Sequence, residues 1–141
     1  MEWKEALPLL KENHTGVAIT VTPKGRAQAT VVSTGVLDGK VGFASRGHTV
    51  KLKNIKRTGR AAITVINLET RRYVTVEGPA SVEAWEDTPQ HLKRLKDIYI
   101  ASDRAPKGSD EEFARQMRSE QRALVLVTPE HIYGSLRRGG G

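Results

Sequence analysis

Two short stretches, Thr22-Pro-Lys-Gly25 and Leu37-Asp-Gly-Lys40, constrain the fold of this 141-residue chain more than any other feature. Each lies between runs rich in valine and threonine. Asp-Gly supplies the positive-φ positions that a tight two-residue hairpin needs, and strands joined in this way run antiparallel. The pattern predicts strands over 16–21, 26–36 and 41–45, forming a three-stranded antiparallel meander. Strand-like runs recur at 60–67 and 73–85, joined by the polar turn 68–72, and again at 122–128 and 131–136. Gly78-Pro79 interrupts the run 73–85 and predicts a bulge or bend there, because proline donates nothing to a ladder.

Helical spacing appears between these runs. Trp3, Ala6, Leu7 and Leu10 predict an amphipathic N-terminal helix over 2–12 that packs as a lid. Residues 49–57 predict a helix with Leu52 and Ile55 inward, Lys53, Lys56 and Arg57 outward, and Gly59 ending it. Asp87 or Thr88 caps a third helix with Pro89 in its first turn, running to about Ser102. After a loop at 105–109, Ser109 opens a fourth helix to about Ser119, with Asp110, Glu111 and Glu112 at its positive end. Six or seven antiparallel strands with helices inserted between them and at the N-terminus give an α+β, mainly β class: a barrel or highly curved sheet, not a parallel βαβ fold. The chain reads as one domain over 1–136 followed by a flexible tail, 137–141.

Composition fits this reading and excludes some chemistry. With 38% hydrophobic residues a chain of this length can bury roughly 70% of its unfolded surface. It has no cysteine, hence no disulfide framework, thiolate nucleophile or cysteine-ligated metal. Met1–Pro8 lacks a signal-peptide pattern and no apolar run approaches membrane-spanning length, so a soluble, cytoplasmic protein is expected.

The net charge of +7 is not spread evenly. Between Gly39 and Leu68 stand seven basic residues (Lys40, Arg46, Lys51, Lys53, Lys56, Arg57 and Arg60) and no acidic one, so the rest of the chain balances to zero. An excess concentrated this way points to an anionic partner at one place.

Familiar nucleotide-loop, nucleophile-elbow and zinc-protease motifs do not occur, and His14, His48, His91 and His131 stand singly, without metal-ligand spacing. The informative stretch is Val41-Gly-Phe-Ala-Ser-Arg-Gly-His-Thr-Val-Lys51, a strand passing through a short loop into a helix. Free N–H groups at a helix start attract anions. Ser45 and Thr49 add hydroxyls there, and Arg46 and Lys51 add charge. A plainer alternative stays open: Thr49 caps the helix and the lysines form a solvated face.

The runs Gly25–Ser33, Asp38–Val65 and Val76-Glu-Gly-Pro-Ala80, continuing to Ile132-Tyr-Gly134, resemble the pyridoxamine 5′-phosphate oxidase-like superfamily. The most telling part is the arrangement strand, short loop, Thr49-x-Lys51-x-x-Asn54-Ile55, basic pair, strand. The resemblance implies an antiparallel split β-barrel with FMN-binding-like topology and a homodimer whose cofactor lies between subunits. The motif wording is most similar to the deazaflavin (coenzyme F420)-dependent oxidoreductases, with an FMN-binding oxidoreductase as the alternative. Carried over, Lys51 would hold the cofactor phosphate, with Ser45, Arg46, Thr49 and the Val50 backbone beside it. Gln28, Thr30, Val31, Val32 and Ser33 would pass under the ring, Lys56 and Arg57 would attract an acidic cofactor tail together with Lys53 and Arg60, and Tyr133 would reach the partner's site. Asn54 would brace the loop. The C-terminal Gly134-Ser-Leu-Arg-Arg-Gly-Gly-Gly141 departs from the arginine-containing ending of the vitamin B6 oxidases, which disfavours that activity.

The resemblance implies hydride transfer to or from a small unsaturated substrate, with the chemistry carried by the cofactor and neither catalytic side chain nor metal supplied by the protein. Two further readings remain: a cofactor carrier without turnover, and a nucleic-acid binder using the basic helix. Against the latter, only 5% of residues are aromatic and none form a strand row for base stacking. Nucleic acid and membrane are therefore not the expected partners.

Overall fold

The structure, a computed structural model, describes residues 1–139; Gly140 and Gly141, the end of the expected tail, lie outside the described residues. The elements are α1 (Trp3–Glu12), β1 (Thr15–Val21), β2 (Ala27–Ser33), β3 (Gly35–Leu37), β4 (Lys40–Ser45), α2 (Val50–Thr58), β5 (Arg60–Ile66), β6 (Tyr73–Glu83), α3 (Pro89–Ala101), α4 (Asp110–Glu120), β7 (Ala123–Val127) and β8 (His131–Ser135).

All strand pairs are antiparallel, in the order β2-β1-β5-β6-β7-β4-β3, with β8 also on β6. The hairpin signals act as expected: Asp38 and Gly39 take φ of 56° and 69° in the β3–β4 turn. The meander does not form. The run 26–36 breaks at Thr34, its first part pairing with β1 and its second with β4. β2 and β3 therefore stand at opposite ends of the sheet path although one residue joins them, so the sheet must curl round on itself. Thr34 is fully buried at this switch, its N–H donating to the His14 carbonyl at 2.8 Å. The result is a mostly antiparallel split barrel carrying four helices.

Gly78-Pro79 does mark an irregularity, but the extra residue is on the facing strand. β6 pairs with β8 up to Glu77↔His131 and with β7 from Ala80↔Val127, so Thr128–Glu130 opposes Gly78-Pro79. A Cβ at residue 78 would overlap the Thr128 carbonyl, which is why glycine stands there.

Alternation along β7 sorts the core into two layers. Ala123, Val125 and Val127 face the barrel interior with Phe43, Ile63, Val65, Val74 and Val76, while Leu124 and Leu126 face α3 and α4 through Leu95, Ile98, Phe113 and Met117. Burial on both faces is what makes β7 continuously apolar. α1 seals the interior with Ala6, Leu9 and Leu10; Leu9 is buried where Leu7 was expected, and Leu7 is only partly covered. The tail is tied as far as Gly139, whose N–H donates to the Thr70 carbonyl at 2.7 Å.

Both later helices begin on their expected caps: Thr88 Oγ1 accepts from the His91 N–H and Ser109 Oγ from the Glu112 N–H, each at 3.1 Å. Ser109→Ala is expected to cost about 1 kcal/mol, read as a fall of a few degrees in thermal unfolding. No helix among the described residues is long and apolar enough to cross a membrane.

Candidate functional site

The strand, loop and helix from β4 into α2 form one wall of an open groove of about 330 Å³. Val31, Val32 and Ser33 from the end of β2 form another, with Thr15 paired opposite Ser33. Ala44, Ser45, Arg46, Thr49 and Lys51 line the first wall, and Arg104 and Arg122 complete the lining.

The loop is pinned from within. Ser45 Oγ donates to the Arg46 carbonyl at 3.0 Å, and with that proton committed the Thr49 hydroxyl donates to Ser45 Oγ, also at 3.0 Å. Thr49 occupies the N-cap position of α2, yet its side chain makes no capping bond. The first N–H groups of α2 are thus left to an outside acceptor. The plainer alternative, in which Thr49 caps the helix, does not describe this geometry. Asn54, buried one turn on, donates from Nδ2 to Thr20 Oγ1 at 3.1 Å and accepts from Arg57, bracing α2 against β1.

Lys51 is the unusual group. It is only 8% exposed, and among the described residues no carboxylate lies within ion-pair distance of its ammonium. Burial, and after it the nearby Arg122 charge, hold its pKa below the ordinary value of 10.5. A desolvated cation beside a second cation is costly unless an anion joins them. Behind the groove Glu120 accepts from Arg122 Nε at 2.9 Å and lies 3.7 Å from Arg46. Burial opposes its charge, but the Arg122 bond and the two guanidiniums outweigh this and hold its pKa below the usual range. Four cations thus line the groove with one carboxylate behind them.

The sequence-derived candidates distribute unevenly. Val31, Val32, Ser33, Ser45, Arg46, Thr49 and Lys51 meet at the groove, and Val50 opens the helix beside them. Gln28 and Thr30 are bonded to each other within β2 (2.9 Å), Gln28 also accepting from Thr20, and do not line it. Lys56 and Arg57 are exposed in the last turn of α2, away from the groove, with Arg57 bonded to Asn54 and to the Val21 carbonyl. Arg60, exposed at the start of β5, is paired with Glu77 and Glu130 at 3.2 and 2.6 Å. Tyr133, half-exposed, leans on His131 in β8, outside the groove.

Arg104 and Arg122 were not legible as site residues. Arg122 precedes β7, and the Ser45↔Ala123 register brings it beside Arg46; only knowledge of that pairing would have found it. Arg104 arrives on the α3–α4 loop. Among the described residues no group of three or more His, Asp or Glu side chains gathers to hold a metal ion.

The sequence pattern of the family described as pyridoxamine 5′-phosphate oxidase matches residues 3–135. The chain belongs to the pyridoxamine 5′-phosphate oxidase family. No curated protein matches it significantly. Solved structures share the family's fold. One is a conserved hypothetical protein of Mycobacterium tuberculosis, 20% identical, with a TM-score of 0.72 over 94% of this chain and 82% of that one. An F420 reductase, 23% identical, gives 0.64 over 89% and 94%. A pyridoxamine 5′-phosphate oxidase-related, FMN-binding protein of Nostoc punctiforme, 16% identical, gives 0.68 over 97% and 84%. Heme-binding and heme-storage proteins from Mycobacterium smegmatis and Vibrio cholerae fall in the same range.

Proposed function

We propose that this member of the oxidase family is a deazaflavin (coenzyme F420)-dependent oxidoreductase acting on a small unsaturated organic substrate. The observation that carries the proposal is the buried Lys51, with no carboxylate partner among the described residues, at a helix start without a side-chain cap. A phosphate fits this donor set: the α2 N–H groups supply directional donors, while Lys51, Arg46 and Arg122 supply charge. When bound, the reduced cofactor would supply a hydride, and solvent would supply the proton. The chain's own work is to hold the phosphate, seat the ring against Val31–Ser33 and exclude water from that face.

Two features support a homodimer with the site between subunits. The groove is open on one side and near the small end of cofactor pockets. Val31 at its rim is 73% exposed, an apolar surface that a second subunit would cover. The proposal retains the cytoplasmic location expected from the sequence. FMN binding is the alternative, since the phosphate grip serves either cofactor. A heme reading has less support, because the groove lining contains no His, Cys, Met or Tyr.

Fluorescence titration with deazaflavin and with FMN tests the proposal. The expected result is saturable binding, tighter for the deazaflavin, that falls by less than about tenfold between 50 and 200 mM salt. A nucleic-acid binder making several phosphate contacts would lose roughly 10³–10⁵ over that range. A duplex DNA that binds more tightly than either cofactor, with that steep slope, would overturn the reading.

A further inference from the structure

Arg104 lines two spaces at once: the groove and an adjoining cavity of about 230 Å³ whose other walls are Tyr99, Pro106, Lys107, Gly108, Glu112, Phe113 and Gln116. Its guanidinium is not free to wander. The carbon at its centre stands 5.1 Å from the centroid of the Tyr99 ring, and its backbone N–H donates to the Tyr99 carbonyl at 2.8 Å. Tyr99 is itself fixed edge-on against Phe113, ring centroids 5.3 Å apart at 85°. A guanidinium over an aromatic ring is attracted through its charge and keeps its N–H donors available for an acceptor. Among the described residues none of those donors meets an acceptor, and no carboxylate pairs with Arg104. The Tyr99 hydroxyl is buried without a hydrogen-bond partner among the described residues.

Lys107 and Glu112 carry opposite charges, so Arg104 sets the sign of the second space. Its neighbours Tyr99, Phe113 and Pro106 are flat or apolar. A fork of donors at the edge of such walls matches a planar carboxylate on a small unsaturated skeleton. The cavity is below the range of drug-sized pockets, so the ligand is of metabolite size.

We infer that Arg104 and this cavity form a substrate subsite for a small unsaturated carboxylate, separate from the phosphate grip at Lys51. The word substrate rests on the oxidoreductase reading above; the carboxylate subsite does not. Reduction of such a ligand at its carbon–carbon double bond takes one hydride from the reduced cofactor and one proton from water, and leaves the carboxylate unchanged. Arg104 is a specificity-determining residue in this scheme.

The test uses trans-cinnamate and its neutral amide, cinnamamide, titrated calorimetrically into the protein with and without FMN or deazaflavin. Cinnamate is expected to bind at least fivefold more tightly than cinnamamide. Arg104→Gln is expected to abolish that preference in a folded protein, the lost contact with the Tyr99 ring lowering thermal unfolding by no more than a few degrees. Arg104→Lys should keep part of the preference, since charge remains but the fork is lost. Equal binding of acid and amide, or an undiminished preference in Arg104→Gln, would overturn the inference. So would an Arg104→Gln protein that loses deazaflavin affinity and keeps its cinnamate preference, for the arginine would then serve the cofactor. Cinnamate discrimination through Arg104 in a protein that binds neither cofactor would uphold the subsite and overturn the oxidoreductase reading instead.

Discussion

Lys51→Met is expected to weaken deazaflavin binding roughly 10- to 100-fold, about 1.5–3 kcal/mol, the range of a hydrogen bond to a charged group. The same substitution should leave the ligand-free fold as stable or make it more stable. Methionine retains the unbranched stem and fills the same channel, while removing an ammonium that burial and Arg122 both disfavour. Affinity and stability thus move in opposite directions, which separates a ligand-binding lysine from a structural one. The pH dependence follows from linkage. With its folded-state pKa lowered below 10.5, Lys51 binds fewer protons folded than unfolded between the two values. Stability therefore rises with pH across that window, and Lys51→Met should flatten the rise. Thermal unfolding at several pH values, beside a fluorescence titration of each protein, reads both effects. Unchanged deazaflavin affinity in a folded Lys51→Met protein would remove the phosphate assignment.

Phe43→Ala should have the largest effect on the fold, a loss of about 3–5 kcal/mol. Phe43 is fully buried in β4, opposite Val125, with Ile63, Val65, Val74 and Val76 in the same cluster. The barrel wall is a hydrogen-bonded sheet on that side, so backbone ladders limit how far neighbours can move into the gap. Thermal unfolding should fall by roughly 10–20 °C. A fall of less than about 5 °C would mean that the interior closes over the missing ring, contrary to the packing described.

Much of this architecture was legible because it is local. Asp38-Gly39 takes positive φ at both positions whatever surrounds it, and Ser109 or Thr88 caps a helix with atoms three residues away. The candidate groove wall was legible for the same reason: Ser45, Arg46, Thr49 and Lys51 lie within seven residues of one strand, loop and helix. Thr34 shows where local reading stops. The run 26–36 favours β conformation throughout, and periodicity carries no information about which strand it pairs with. Nothing before Thr34 distinguishes a single strand from two halves serving opposite ends of a sheet.

By itself, then, the sequence determined an antiparallel, mainly β chain with its excess positive charge gathered in the segment from β4 through α2 to the start of β5, because turn chemistry, capping and charge all act over a few residues. Only the tertiary structure decided that the run 26–36 divides at Thr34 between the two ends of the sheet, that Lys51 is buried with no carboxylate partner among the described residues, and that Arg122 and Arg104 join it at the groove. Those outcomes depend on pairings such as Ser45↔Ala123, across nearly eighty residues of chain. Burial and electrostatic company belong to the assembled fold, since a lysine becomes a desolvated cation only when distant strands close over its stem.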